Sequence, residues 1–173
     1  MNKRTIMIFP DFENMEIIDN IRKQYDPLYD LVQPHITLVF PFESHISNED
    51  LAKVLKLRLQ EIQPFELKLG GISKHEDAFG NYLFLNVIQG AKEIDFIHRT
   101  LYDNEFKEFD KGLPYIPHMT IGNLSSAELL NSAYNNTKAV DITFSTVVKK
   151  ISVEMIGDNE ESIIVIEQEL KKR

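Results

Sequence analysis

Pro34-His35-Ile36-Thr37-Leu38 and, further along, Pro117-His118-Met119-Thr120-Ile121 are the two stretches whose reading decides the fold of this 173-residue chain. Each places an apolar, largely β-branched run after a proline, the composition of a short strand. Alternate side chains of a strand leave on opposite faces, so His35 and Thr37 project together while Ile36 and Leu38 point the other way. The same alternation pairs His118 with Thr120. Proline pre-sets extended backbone and explains the two strand entries. It does not explain why a threonine stands two places after each histidine. One His-x-Thr is weak evidence, and a lone strand histidine is usually structural; a matched pair is not.

Working outward, the first pentapeptide is preceded by an apolar run from Thr5 to Phe9, read as a strand. A helix follows, with Phe12, Met15, Ile18 and Ile21 spaced by three and an end near Tyr25-Asp26-Pro27. After His35 to Phe40, Pro41 is expected to close the strand. Ser47 with Asp50 resembles a capping box and opens a helix expected from about Asn48 to Ile62. Phe65, Leu67 and Leu69 alternate as a strand expected to stop at Gly70-Gly71, before a loop holding His75, Glu76 and Asp77. The order then begins again: a strand Tyr82 to Val87, a helix marked by Ile94, Ile97 and Leu101, and the strand His118 to Ile121. A helix capped by Ser125 with Glu128 comes next, then a last hairpin pairing Ile142 to Met155 with Ser162 to Leu170. One domain over 1–173 is expected, built from two internal repeats of roughly 1–78 and 79–173.

If the repeats are related by a pseudo-two-fold axis, the equivalent strands lie near each other and their imidazoles and hydroxyls share one concave face. Such a cleft suits a phosphodiester. One group must take a proton from the attacking oxygen while another protonates the leaving oxygen, and imidazole, with an ordinary pKa of about 6.5, serves in either state. Hydroxyls two residues away can donate hydrogen bonds to non-bridging phosphate oxygens. The scheme asks for no metal and no cofactor.

Composition narrows the substrate. With 27 acidic and 19 basic residues the formal charge is −8, which opposes tight binding to a long polyanion and favours a small phosphodiester or an RNA end. There is no cysteine, so disulfides, thiolate nucleophiles and cysteine-ligated metals are excluded. Pro10 and Asp11 cut short an apolar run that would otherwise resemble a signal peptide, and no run is long enough to span a bilayer. A cytoplasmic, monomeric protein without membrane attachment is expected. His45 and His75 read as loop residues, and His98 as a helix boundary residue. Phe42, Tyr82, Phe84 and Tyr115 are aromatics of a kind that could stack on a nucleobase, although strand aromatics are usually core.

The paired His-x-Thr-x tetrapeptides, one per half, resemble the 2H phosphoesterase superfamily, also called the 2′-5′ RNA ligase-like family. Phe9-Pro10 and Tyr25-Asp26-Pro27-Leu28-Tyr29, leading into the first motif, are similar to a bacterial branch of phosphoesterases in it. The resemblance implies an α+β fold of two pseudo-symmetric lobes, each an antiparallel sheet with flanking helices, around a central cleft. It implies catalytic roles for His35 as proton donor and His118 as proton acceptor, with Thr37 and Thr120 on the phosphate; spacing alone allows either order of the histidines. The activity implied is cyclic phosphodiesterase or 2′-5′ RNA ligase-like. Some relatives carry a basic residue after a tetrapeptide, whereas Val39 and Gly122 stand here, so a cation would come from elsewhere, with Lys3, Arg4 and Lys74 as candidates, or be absent. The alternative reading is an RNA-end or nucleotide-binding module that keeps the cleft without turnover.

Overall fold

Strand β1 (Asn2–Ile8) is buried from Arg4 to Ile8, as a central strand must be, and it lies between β2 (Ile36–Ser44) and β7 (Lys150–Ile156) in the computed structural model, which describes residues 2–172. With β8 (Ser162–Glu169) these make an antiparallel sheet in the order β2-β1-β7-β8. A second antiparallel sheet runs β5-β4-β3-β6, from β5 (His118–Leu124), β4 (Asn81–Gln89), β3 (Phe65–Glu76) and β6 (Phe144–Val148). The molecule is therefore α+β and two-lobed, as the resemblance implies. The sheets are interleaved in sequence: the first takes strands from both ends of the chain, the second from its middle.

The helices interlock the lobes. Helix α1 (Met15–Tyr25), which follows β1, packs on β5 of the other sheet, and α3 (Ala91–Tyr102), which follows β4, packs on β2. Helix α2 (Asn48–Arg58) lies on β8, and α4 (Ala127–Thr137) on β3, β4 and β5. One apolar core joins both sheets to all four helices, with Ile6, Leu38, Leu55, Leu67, Leu83 and Ile97 fully buried. Burying such side chains contributes about 1.5–3 kcal/mol each. Among the described residues no helix is long and apolar enough to cross a membrane.

Several expectations about element ends are corrected. Pro41 does not close β2, which continues to Ser44; β2 is an edge strand and its pairing with β1 shifts register next to Pro41, where a missing N–H costs nothing. Gly70-Gly71 does not end β3 either. Gly71 has φ 72° and the register with β4 shifts there, so the pair forms a bulge, and His75 and Glu76 belong to the strand. Helix α2 ends at Arg58. Ser47 caps it as expected, its Oγ accepting from Asp50 N at 3.1 Å, but α4 is capped by Ser126, not Ser125, through Leu129 N at 3.2 Å. Residues 142–148 do not join the last hairpin; Phe144–Val148 pairs with β3 in the other sheet, leaving β7 and β8 as the hairpin.

Candidate active site

Both motifs lie at the start of an edge strand. His118 is the first residue of β5, and His35 immediately precedes β2. Leu83, Leu85, Met119 and Ile121 turn into the core, which sends His118, Thr120 and Phe84 to the opposite, half-open face of their sheet. Ile36 and Leu38 are fully buried in the same way, leaving His35 and Thr37 half-buried on the other face of theirs.

The two imidazoles are held identically. Nδ1 of His35 lies 2.8 Å from the carbonyl of Gln33, and Nδ1 of His118 lies 2.7 Å from the carbonyl of Ile116. A carbonyl can only accept, so each Nδ1 carries the proton and donates it. Nε2 is then the atom left to exchange a proton with a ligand. The intervening proline, Pro34 or Pro117, fixes the extended backbone that brings the carbonyl two residues back beneath the ring. Here the prolines acquire a role beyond starting a strand.

Both rings titrate below the ordinary histidine range. For His35 burial is the main cause, with the Gln33 hydrogen bond opposing it, Arg22 lowering and Asp26 raising. For His118 burial again leads, the Ile116 bond opposes, and charge on His75 or His35 lowers it further. Strands β2 and β5, which carry the two motifs, pack against each other. Each ring also has an aromatic neighbour: Phe9 at 5.9 Å from His35, and Phe84 stacked at 3.6 Å on His118.

The free edge of β2 is clamped by the second lobe. Tyr115 Oη donates to the Thr37 carbonyl at 2.8 Å, His98 Nδ1 donates to the Leu38 carbonyl at 2.7 Å, and Phe40 N donates to Tyr102 Oη at 3.0 Å. The His98 and Tyr115 rings stack at 3.6 Å with 5° between planes. Tyr115 sits three residues before His118, so one segment touches the first motif and carries the second. Burial pushes the Tyr115 phenol far up, well beyond the ordinary tyrosine range, and it remains a donor throughout the working range. His98, read from sequence as a boundary residue, thus has a defined structural task. Tyr115→Phe leaves the Thr37 carbonyl without its partner and is expected to lower stability by about 1–3 kcal/mol, read by urea denaturation.

A second anchor holds the connection into His35. Arg22 and Asp26 form an ion pair at 2.8 Å with side chains 2% and 5% exposed. The guanidinium also donates to the carbonyls of Leu28 and Val32, and Asp26 accepts from Leu28 N.

None of the three cations singled out from sequence is placed beside the motifs. Arg4 is buried and donates to Ser44 Oγ and the Ile46 carbonyl; Lys74 binds Asn131 on α4 and lies over Tyr134. Lys3 pairs with Glu43, four residues along β1 from Met7, the partner of Thr37, roughly 13 Å away. The missing basic residue after each tetrapeptide also has a physical reason. Val39 is fully buried, and a Cβ at Gly122 would come within 3.0 Å of Tyr25 on α1. Neither position can present a charge to the cleft.

The model of the 2′-5′ RNA ligase superfamily matches residues 9–158. A protein of Bacillus mycoides (strain KBAB4) that carries the provisional name of phosphoesterase is 33% identical over 128 residues, covering 73% of each chain. Among solved structures, Escherichia coli LigT complexed with 3′-AMP superposes with a TM-score of 0.65 at 18% identity over 99% of both chains. TT0787 of Thermus thermophilus gives 0.61 at 14% identity over 97% of both chains. LigT has also been solved with ATP, NADP+ and phosphate.

Proposed function

The chain belongs to the 2′-5′ RNA ligase superfamily, and from that premise we propose that it is a metal-independent phosphodiesterase acting through His35 and His118. Membership supports chemistry on a phosphoric ester. The finer reading rests on one observation: two imidazoles, each with Nδ1 tied to its own backbone two residues back and Nε2 left for a ligand, repeated on two edge strands, one in each sheet.

The substrate proposed is a ribose 2′,3′-cyclic phosphate, or a 2′-5′ linkage, on a nucleotide or RNA end; the small nucleotides found in LigT support that size class. Water gives a proton to neutral Nε2 of His118 as its oxygen bonds to phosphorus. The bond from phosphorus to one ribose oxygen breaks, and protonated His35 gives that oxygen a proton. Thr37 and Thr120 donate hydrogen bonds to the non-bridging oxygens and hold the group in line. With a ribose hydroxyl as nucleophile and the roles exchanged, the same groups form a phosphodiester.

The experiment is turnover of 2′,3′-cyclic nucleotides and short RNAs ending in cyclic phosphate, in excess chelator. Hydrolysis under chelation is the expected result; binding without product on every member would favour the non-catalytic module.

A pH dependence follows from burial of the two rings. A base whose pKa is lowered stays neutral further into acid, so the acid limb of kcat/KM moves down. An acid whose pKa is lowered loses its proton sooner, so the alkaline limb moves down as well. A bell centred below about pH 6.5 is expected, its limbs belonging to the pair. Measurable kcat/KM that stays flat from about pH 5 to 8 would end the two-histidine reading.

A further inference from the structure

The face of the first sheet that carries Thr37 holds a buried carboxyl that the proposed chemistry does not use. Ile6 and Val153 pair across β1 and β7 and turn into the core, so their neighbours Thr5 and Glu154, also paired, leave on the other face, in line with Met7 and Ser152 beside Thr37. All four are at most 4% exposed. Among the described residues Glu154 Oε2 and Thr5 Oγ1 have no hydrogen-bond partner. Nor does Glu154 have a counter-ion there. Arg4, adjacent to Thr5, leaves on the core side and donates to Ser44 and Ile46; on the carboxyl's own face Lys3 stands opposite Glu43, and Lys150 is paired with Glu167. Burial pushes the Glu154 carboxyl up, and the hydroxyls of Ser162 and Thr5 pull the other way.

Ser162 connects this carboxyl to the first motif. It opens the edge strand β8 opposite Ile156, its hydroxyl lies beside Glu154, and its N–H donates to the carbonyl of Leu31 at 2.9 Å. Leu31 stands four residues before His35, in the connection from α1 to β2. Arg22 holds the same connection through the carbonyls of Leu28 and Val32. Of its two acids, Asp26 is in the Arg22 ion pair and Asp30 is exposed, so neither is tied to Glu154. A buried carboxyl without a cation is stable there only while it holds its proton. Once ionised it has to be hydrated, which parts the residues around it, and Ser162 with its bond to Leu31 is one of them.

We propose that Glu154 is a positioning residue for His35 that works by binding a proton: protonated, it lets Ser162 hold the connection against the sheet; ionised, it loosens that bond and with it the backbone that delivers Pro34 and His35. What His35 does rests on the phosphodiesterase reading; the coupling of Glu154 to the connection does not. Linkage sets the direction. The closed connection binds the proton more tightly than the open one, so opening grows as pH rises, by up to about tenfold per pH unit from roughly 4.3, the ordinary glutamate value, until the buried group has ionised.

The test is NMR of the full chain without substrate, from about pH 4 to 8, for wild type, Glu154→Gln, whose amide stands in for the neutral carboxyl, and Glu167→Gln on the same hairpin. Protection of the Ser162 N–H, corrected for intrinsic exchange, is followed with the amide shift of Gln33. In wild type and Glu167→Gln, protection is expected to fall about tenfold or more as pH rises, with a step in the Gln33 amide; in Glu154→Gln both are expected to be gone. The wild-type Glu154 carboxyl carbon, which needs no variant, is expected to titrate above the ordinary glutamate range. An ordinary midpoint for that carbon, a fall in protection that persists in folded Glu154→Gln, or a Gln33 step that does not depend on Glu154 overturns the proposal. Turnover of a 2′,3′-cyclic nucleotide is measured alongside. Failure of the coupling with turnover present leaves the phosphodiesterase standing; Glu154-dependent opening with no turnover keeps the coupling and removes the enzyme.

Discussion

Alanine at either His35 or His118 is expected to lower turnover of a ribose 2′,3′-cyclic phosphate by about 10²- to 10⁴-fold with the protein still folded. Both parts of that expectation come from the same geometry. Each ring is half-open and its internal hydrogen bond is to its own backbone two residues away, so among the described residues truncation removes no hydrogen bond between elements, and the ring neighbours it loses include Phe9 and Phe84. The two protons move in one displacement at phosphorus, so the double variant is expected to lose about as much as the worse single one, not the product of both. Circular dichroism and urea denaturation establish folding, and turnover is then measured in chelator. A folded double variant with wild-type turnover would be decisive against the mechanism.

Arg22→Met is expected to destabilise the chain by about 3–5 kcal/mol, because it leaves Asp26 as an unpaired buried carboxylate. In a protein of this length that corresponds to a fall of roughly 6–20 °C in Tm. The loss extends beyond the ion pair. The carbonyls of Leu28 and Val32 lose their donor, and both lie in the connection that delivers Pro34 and His35 to β2. Adding Asp26→Asn to Arg22→Met removes the stranded charge and is expected to recover part of the loss. Thermal unfolding of the two variants beside wild type checks this; a single variant within about 1 kcal/mol of wild type would show that the pair does not anchor the connection.

Where local periodicity decides an element, the sequence was enough. The alternation around His35 and His118 correctly put each histidine on the same face as its threonine, spacings of three and four marked the first three helices, and a capping pair marked the start of the fourth, one residue early. The misreadings occur where a breaker residue is tolerated by position in the sheet. Pro41 survives in β2 because that strand has a free edge, and Gly70-Gly71 is absorbed as a bulge, with Gly71 at φ 72°. Neither an edge nor a bulge is a local property. The same holds for His98, whose helix was legible but whose bond to the Leu38 carbonyl spans 60 residues. Apart from the β7–β8 hairpin, which the sequence did indicate, the strand pairings were beyond reach for that reason too: nothing near Phe144 indicates that it belongs with β3 and not with β7.

The interleaving of the sheets has a consequence for synthesis. All four strands of the second sheet lie within residues 65–148, so that sheet is complete as soon as this stretch has left the ribosome. The first sheet cannot be. Its central pair joins β1 to β7, and its far edge is closed only by Ser162–Glu169. The segment bearing His35 is thus made early and finished last: it waits beside an incomplete sheet, with an open strand edge on β1, until nearly the whole chain exists. Pairing Arg4 with Met155 closes a long loop, and docking of the C-terminal hairpin is expected to appear as the slow phase in refolding kinetics. A chain cut short before residue 150 would retain both histidines and all four helices, yet lack the two strands against which the first histidine's lobe is assembled.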